Sequence, residues 1–229
     1  MDRREFLSSS LGVLILPKQI SYLNVEDFIK NLVAQTNKIN ICLTIDDGPR
    51  KQMFDILDLL GFAGQNPVIF YCLGQNMNTP HGKEITKLAI SLGHTIGNHS
   101  YSHPVFSQIS FERAKQEIQK TEEVINQLYG EAGVERKEKF FRFPYGAKSQ
   151  AVSDYLSENN FKIQFWDTDT CDWRYYSKRV PMSLQSIIKN AENARDKDIV
   201  LCHDLGITAK YIVPLYVSSG KYKLTLPKG

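Results

Sequence analysis

Ile39-Asn40-Ile41-Cys42-Leu43-Thr44-Ile45-Asp46-Asp47-Gly48-Pro49 is the stretch whose reading decides the fold. A largely apolar run bounded by a Gly-Pro turn predicts a buried strand. Side chains alternate faces along a strand, so Asp46 and Asp47 cannot share a site unless the strand ends at them. Gly48 and Pro49 supply such an end, at the carboxyl edge where parallel α/β folds collect chemistry. Taken alone, the segment also reads as an Asp-Asp-Gly-Pro surface turn.

Downstream, Met53, Ile56, Leu57 and Leu60 fall on one helical face, and Val68 to Leu73 form a second apolar strand. The alternation continues with a helix carrying Ile85, Leu88, Ala89 and Leu92, a strand at Thr95-Ile96, and a helix from Phe111 to Tyr129 with the stripe Phe111, Ala114, Ile118, Ile125 and Leu128. Then come a strand at Phe140 to Arg142, a helix at Val152 to Leu156, a strand at Lys162 to Trp166, and a helix at Leu184 to Ala194. The run Ile199 to Cys202, a helix from Thr208 and a strand from Tyr222 to Leu226 complete the chain. Upstream, Asn24 caps a predicted helix with Val25, Phe28, Ile29, Leu32 and Val33 on one face. Without a repeat or linker, the pattern predicts one α/β domain over residues 24–229, a parallel barrel or open sheet of about seven strands.

Composition narrows the classes. The 229 residues, 42% of them hydrophobic, suffice for one core, and the net charge of +3 is dispersed, which argues against nucleic acid as the partner. No apolar run reaches the roughly 20 residues of a membrane span. Residues 1–23 read as an N-terminal arm. Within it, Asp2-Arg3-Arg4-Glu5-Phe6-Leu7 resembles a twin-arginine export signal, which would place the protein outside the cytoplasm or in the envelope. The apolar part that follows is short, and a cytoplasmic protein with an arm fits as well. Of the four cysteines, Cys42, Cys72 and Cys202 lie in apolar runs and Cys171 does not. Buried free thiols are expected, with a disulfide the alternative.

Polar clusters recur just past the predicted strand ends: Asp46-Asp47, His99 with His103, Arg142 to Tyr145, Asp169 to Trp173, and His203. A parallel sheet would gather all five on one rim. His99 and His103, spaced H-x-x-x-H, can aim both imidazoles at one point, and Pro104 stops any helix there. Two histidines with Asp47 are a common zinc-binding set. Asp46 is then free to act as a base, and Arg142 could hold it ionised and oriented. Pro144 and Tyr145 form a rigid turn able to present a backbone N–H to an oxyanion. His203 could serve as an acid, kept charged by Asp172. Cys202 beside it should point into packing. Trp166, Trp173, Tyr175 and Tyr176 are either platforms for sugar rings or core residues. His81 and His94 are assigned to loops without chemistry. Each cluster alone also has a structural explanation, whether exposed loop, surface ion pair or strand-end histidine.

In this order the motifs TIDDGP (Thr44 to Pro49), HSYSH (His99 to His103), RFPY (Arg142 to Tyr145), DTCDW (Asp169 to Trp173) and IVLCH (ending at His203) resemble those of the NodB-type polysaccharide deacetylases, carbohydrate esterase family 4. The resemblance implies a distorted (β/α) barrel and metal-dependent removal of acetyl groups from N-acetylglucosamine units of a glycan. By position it implies Asp46 as base, Asp47, His99 and His103 as ligands of Zn2+, or of Co2+, Ni2+ or Mn2+, and His203 as acid. Arg142 would orient Asp46, and Asp172 would tune His203. The Tyr145 N–H would meet the oxyanion, with Pro144 shaping its turn and Trp173 and Leu201 lining the acetyl pocket. Ile45 stands where the family usually has Phe. No basic residue precedes Val68 to brace Asp172, which puts the tuning of His203 in question. The alternatives are an O-acetyl esterase on xylan-type glycans, a small-amide hydrolase, and a non-catalytic sugar-binding protein.

Overall fold

The computed structural model describes residues 38–61, 64 and 66–227. The expected N-terminal arm and the helix after Asn24 lie outside these residues.

The chain runs β1 (Ile39–Gly48), α1 (Met53–Leu60), β2 (Ile69–Cys72), α2 (Gly74–Met77), α3 (Pro80–Ser91), β3 (Thr95–Asn98), α4 (Phe111–Ala132) and β4 (Lys139–Phe141). It continues with α5 (Gln150–Glu158), β5 (Phe161–Ile163), β6 (Thr168–Asp169), α6 (Leu184–Glu192), β7 (Ile199–His203), α7 (Val213–Ser218) and β8 (Tyr222–Leu224). The strands form one eight-stranded parallel sheet ordered β5-β4-β3-β2-β1-β7-β6, with β8 paired to the start of β1. The sheet curls into a distorted (β/α) barrel left open between β5 and β6.

β1, the longest strand, lies inside the sheet between β2 and β7 and is buried on both faces, with Ile41, Leu43 and Ile45 on one and Cys42, Thr44 and Asp46 on the other. Ile41, Leu43 and Ile45 pack with Met53, Ile56 and Leu57 of α1 and with the other helices, while Cys42 packs with Ile69, Tyr71 and Phe140 on the opposite face. Thr44 and Asp46 share the parity of Cys42 and so face the inside of the curl. On β7 the same alternation sends Val200 and Cys202 into the helical layer. All four cysteines are free, so the disulfide alternative does not hold.

Several local expectations change. β1 ends at Gly48, as the Gly-Pro turn predicts, but both carboxylates lie within it, and its register to β2 shifts between Asp46 and Gly48. The described residues hold eight strands where about seven are predicted, because the strand expected at Lys162 to Trp166 is β5 alone and the two-residue β6 (Thr168–Asp169) is too short to show a strand pattern in the sequence. Leu88 and Phe111 lie on exposed faces of α3 and α4, since each helix buries a narrower stripe than the hydrophobic pattern suggests. His81 belongs to α3. His94 is buried, and its Nε2 lies 2.9 Å from the carbonyl of Gly61, so it ties the end of α1 to the start of β3. Among the described residues, no helix is long and apolar enough to cross a membrane.

One close approach tests the packing inside the curl. A Cβ at Gly97 of β3 would come within 2.6 Å of the Tyr71 ring, which is itself fully buried. Gly97→Ala should cost about 1–3 kcal/mol of stability through overpacking, read from the urea midpoint at unchanged slope.

Candidate metal centre and catalytic rim

The five clusters expected at strand ends meet at the carboxyl rim of the sheet, around a cavity of about 630 Å³. Its lining includes Asp46, Asp47, His99, His103, Tyr145, Trp166, Trp173, Leu201 and His203. Pro144 is buried behind Tyr145, Arg142 is buried beneath Asp46, and Asp172 is buried behind His203.

Asp46 and Asp47 reach one site by different routes. Asp46 faces inward by strand parity. Asp47 would face outward, but its backbone is left-handed, with φ 66°, and the register irregularity swings its carboxylate over the rim. His99 follows β3, and the loop from Ser100 to His103 is not helical. It turns back through two left-handed residues, Ser100 at φ 71° and His103 at φ 64°. The result brings His103 Nε2 to 3.3 Å from His99 Nε2 and 3.2 Å from Asp47 Oδ1.

This arrangement suits a divalent cation. The ligand atoms of Asp47, His99 and His103 lie within 4.8 Å of one another. His99 Nδ1 is 2.9 Å from the carbonyl of Arg142, so a neutral ring donates there and leaves the lone pair of Nε2 facing the triad. Burial lowers the His99 pKa despite the nearby Asp46 and Asp47, which keeps the ring neutral. Asp47 Oδ1 is buried without a well-aligned hydrogen bond, although both imidazoles are close. A buried acceptor left in that state beside two nitrogen lone pairs is the donor set a cation satisfies. In metal-free protein, burial raises the pKa of Asp47, but hydrogen bonding to His103 and the charge of the surrounding imidazoles when protonated more than offset it and hold the carboxyl well below the usual carboxylate range.

Asp46 is engaged differently. Its Oδ1 accepts from Arg142 Nη1 at 2.8 Å, and both side chains are almost fully buried. The guanidinium also donates to Thr44 Oγ1 at 2.7 Å and to the carbonyls of Gln164 and Phe165, and it lies 4.2 Å over the Tyr71 ring. Asp46 Oδ2 stays on the side of the triad, 3.6 Å from His99 Nε2.

His203 is in register with Asp46 across the β1–β7 pairing. Its Nδ1 lies 2.7 Å from Asp172 Oδ1, which leaves Nε2 for the cavity. Burial lowers the His203 pKa, but the Asp172 charge and hydrogen bond raise it further, to about 9. No basic residue is needed to brace Asp172. Its Oδ2 accepts from the His203 N–H at 2.7 Å and the Thr208 hydroxyl at 2.6 Å, and its Oδ1 from the Trp173 N–H at 2.9 Å. Sequence reasoning missed Thr208, because a threonine at the start of an expected helix carries no signal of a contact 36 residues away.

Aromatic rings border the cavity. Tyr145 is 68% exposed and Trp173 43% exposed, whereas Leu201 is buried at the cavity wall, so the rim is an open apolar shelf around a polar floor. Tyr175 and Tyr176 are exposed as well and do not belong to the core. Trp166 packs against Gly146, where a Cβ would meet its ring at 3.0 Å.

Fold and site together define a curled parallel α/β protein with an Asp-His-His metal triad beside a separately held Asp-Arg pair. The profile of the polysaccharide deacetylase family matches residues 34–164, and the chain belongs to that family, carbohydrate esterase family 4. The chain is 36% identical over 151 residues to a peptidoglycan-N-acetylglucosamine deacetylase of Bacillus cereus, a match covering 66% of this chain and 52% of that protein. It therefore spans about half the length of that curated relative. Among solved structures, it resembles a peptidoglycan N-acetylglucosamine deacetylase in complex with 4-naphthalen-1-yl-N-oxidanyl-benzamide, at 30% identity and TM-score 0.68, covering 83% of this chain and 86% of that one. The peptidoglycan deacetylase PdaC from Bacillus subtilis is similar at 27% identity and TM-score 0.67, covering 82% and 88%.

The His203–Asp172 pair makes a signed pH prediction. A folded pKa of about 9, above the ordinary 6.5 or so, stabilises the fold fully below that ordinary value and loses the contribution as pH rises through 9. In metal-free protein followed by NMR, Asp172→Asn should move the His203 titration down by more than about one unit. The loss of stability between pH 6.5 and 9 should shrink with it.

Proposed function

We propose that the protein is a metal-dependent hydrolase that removes acetyl groups from the amide nitrogen of N-acetylglucosamine-type units in a glycan. The observation that carries the reading is the division of labour between neighbouring carboxylates. Asp47 joins two histidines, while Asp46 is tied to Arg142 and kept out of the ligand set. Two acids whose surroundings separate their roles are the mark of acid-base chemistry.

Asp47, His99 and His103 would hold the cation, with Zn2+ matching the nitrogen-rich donor set. When bound, such an ion supplies Lewis acidity toward a carbonyl and acidifies water toward pKa about 7. The protein's own groups then divide the proton transfers. Asp46 Oδ2, its partner oxygen held by Arg142, receives the proton of the attacking water. The Tyr145 backbone N–H meets the oxygen that gains negative charge. His203, charged at neutral pH through Asp172, gives its proton from Nε2 to the departing amine. In-register placement of Asp46 and His203 on adjacent strands supports their acting as base and acid on one carbonyl. Trp173 and Leu201 would enclose the acetyl methyl, and the exposed rings of Tyr145 and Trp173 would lie against the sugar.

An acetylated glycan is the substrate class supported by the family and by the aromatic rim. Ester-linked acetyl groups would react through the same geometry. Acetate release from N-acetylglucosamine oligomers by chelator-stripped protein should be at background and return when zinc is added. Asp46→Asn should lose about 10²-fold or more of kcat while still binding zinc. His99→Ala should lose zinc and activity together. Full zinc occupancy in His99→Ala would contradict the ligand assignment, and faster turnover of matched acetyl esters would move the substrate to the ester class.

A further inference from the structure

Beyond the residues that border the cavity, one buried carboxylate has its hydrogen bonds directed at the histidine loop. We propose that Glu117 of α4 is a positioning residue that presets the loop carrying His99 and His103 for metal binding, an inference that rests on reading those histidines as ligands.

Glu117 is only 3% exposed, and a buried carboxylate is costly unless its oxygens are fully used. Its Oε2 accepts the backbone N–H of Tyr101 at 2.9 Å and that of Ser102 at 2.7 Å. Its Oε1 accepts the Ser102 hydroxyl at 2.9 Å and Arg113 Nη2 at 2.7 Å. Three of these four partners belong to the segment between the two histidines. The fourth, Arg113, lies one turn earlier on the same helix and balances the charge.

The loop needs this support because its own backbone is unfavourable. Ser100 and His103 both adopt left-handed conformations, which are unfavourable for non-glycine residues and persist only where the surroundings over-determine them. The carbonyls of Ser100 and Tyr101 accept from the Gly74 and Gln75 N–H groups of α2, each at 3.0 Å, and the remaining constraints lie within the segment. The Ser100 N–H donates to Asn98 Oδ1 at 2.9 Å, and the His103 N–H donates to Ser100 Oγ at 3.0 Å. Asn98 is in turn anchored to α4, through the Ile118 carbonyl and Glu122 Oε1, each at 3.0 Å. Glu117 fixes the crest of the loop to the same helix, so His103 is aimed at Asp47 before any ion arrives. A carboxylate suits this task better than a neutral side chain, because it offers charge-assisted acceptance to several donors at once.

The test uses the full chain, stripped of metal. Zinc affinity is measured by competition with a chromophoric chelator, and amide hydrogen exchange at Tyr101 and Ser102 is measured on the metal-free protein. Glu117→Ala should bind zinc about 10–100-fold more weakly, the loss typical when a group supporting a ligand is removed. Both amides should exchange faster. Glu117→Gln, which keeps one oxygen for the two N–H groups, should fall between Glu117→Ala and the parent. A lower Tm for Glu117→Ala with unchanged zinc affinity would reduce the residue to a stabilising role and overturn the inference. If Glu117→Ala does not fold, Glu117→Gln decides: parental affinity together with parental amide exchange overturns the inference. Failure of the parent protein itself to bind zinc would instead overturn the ligand reading on which this inference stands.

Discussion

The buried pair between Arg142 and Asp46 is the interaction on which the site depends. Arg142 is fully buried at the end of β4 and donates to groups on β1 and on the segment after β5, so it spans the interior of a curl that no strand among the described residues closes. Removing one partner of such a pair leaves an uncompensated buried charge, at a cost of about 3–5 kcal/mol, so each side chain depends on the other for its position. The consequence for chemistry is selective. By occupying Asp46 Oδ1, Arg142 separates this carboxylate from its sequence neighbour and leaves Asp47 to face the histidines.

Strand parity explains most of what else stands on the rim. Asp46, Leu201 and His203 all face the inside of the curl, while Ile45 and Cys202 face the helices. Departures from regular backbone account for the rest. Asp47, at the irregular end of β1, and Ser100, His103, Tyr145 and Cys171, in the rim loops, are left-handed non-glycine residues within the motifs. Regular structure sets the floor of the site, and irregular backbone turns further side chains over it. That backbone is held from behind by Glu117 under the histidine loop, and by Thr208 with the His203 N–H around Asp172.

Much of this was legible in the sequence because strand ends are marked by abrupt changes from apolar to charged residues. The positions of Asp46, Arg142, Asp172 and His203 follow from that rule, and the H-x-x-x-H spacing identifies the two histidines. The means by which Asp47 joins Asp46 was not legible. The Gly-Pro turn ends the strand as read, but the register irregularity just before it, between Asp46 and Gly48, has no residue pattern that announces it. Glu117 was equally hidden, because an acidic residue in an amphipathic helix resembles a solvated one until its partners fold beside it. Leu88 and Phe111 erred the other way, matching the apolar stripe yet remaining exposed. His94 looked like a loop residue after Gly93 and is instead a buried link between α1 and β3.

The central claim is that one aspartate and two histidines, and not the neighbouring Asp46 or a cysteine, form the protein's set of metal ligands. X-ray absorption at the zinc edge, on protein loaded with one equivalent, tests it most directly. The account predicts a shell of nitrogen and oxygen only, with the multiple-scattering signature of two imidazoles, unchanged in Asp46→Asn. Sulfur in that shell, fewer than two imidazoles, or a shell altered by Asp46→Asn would contradict it.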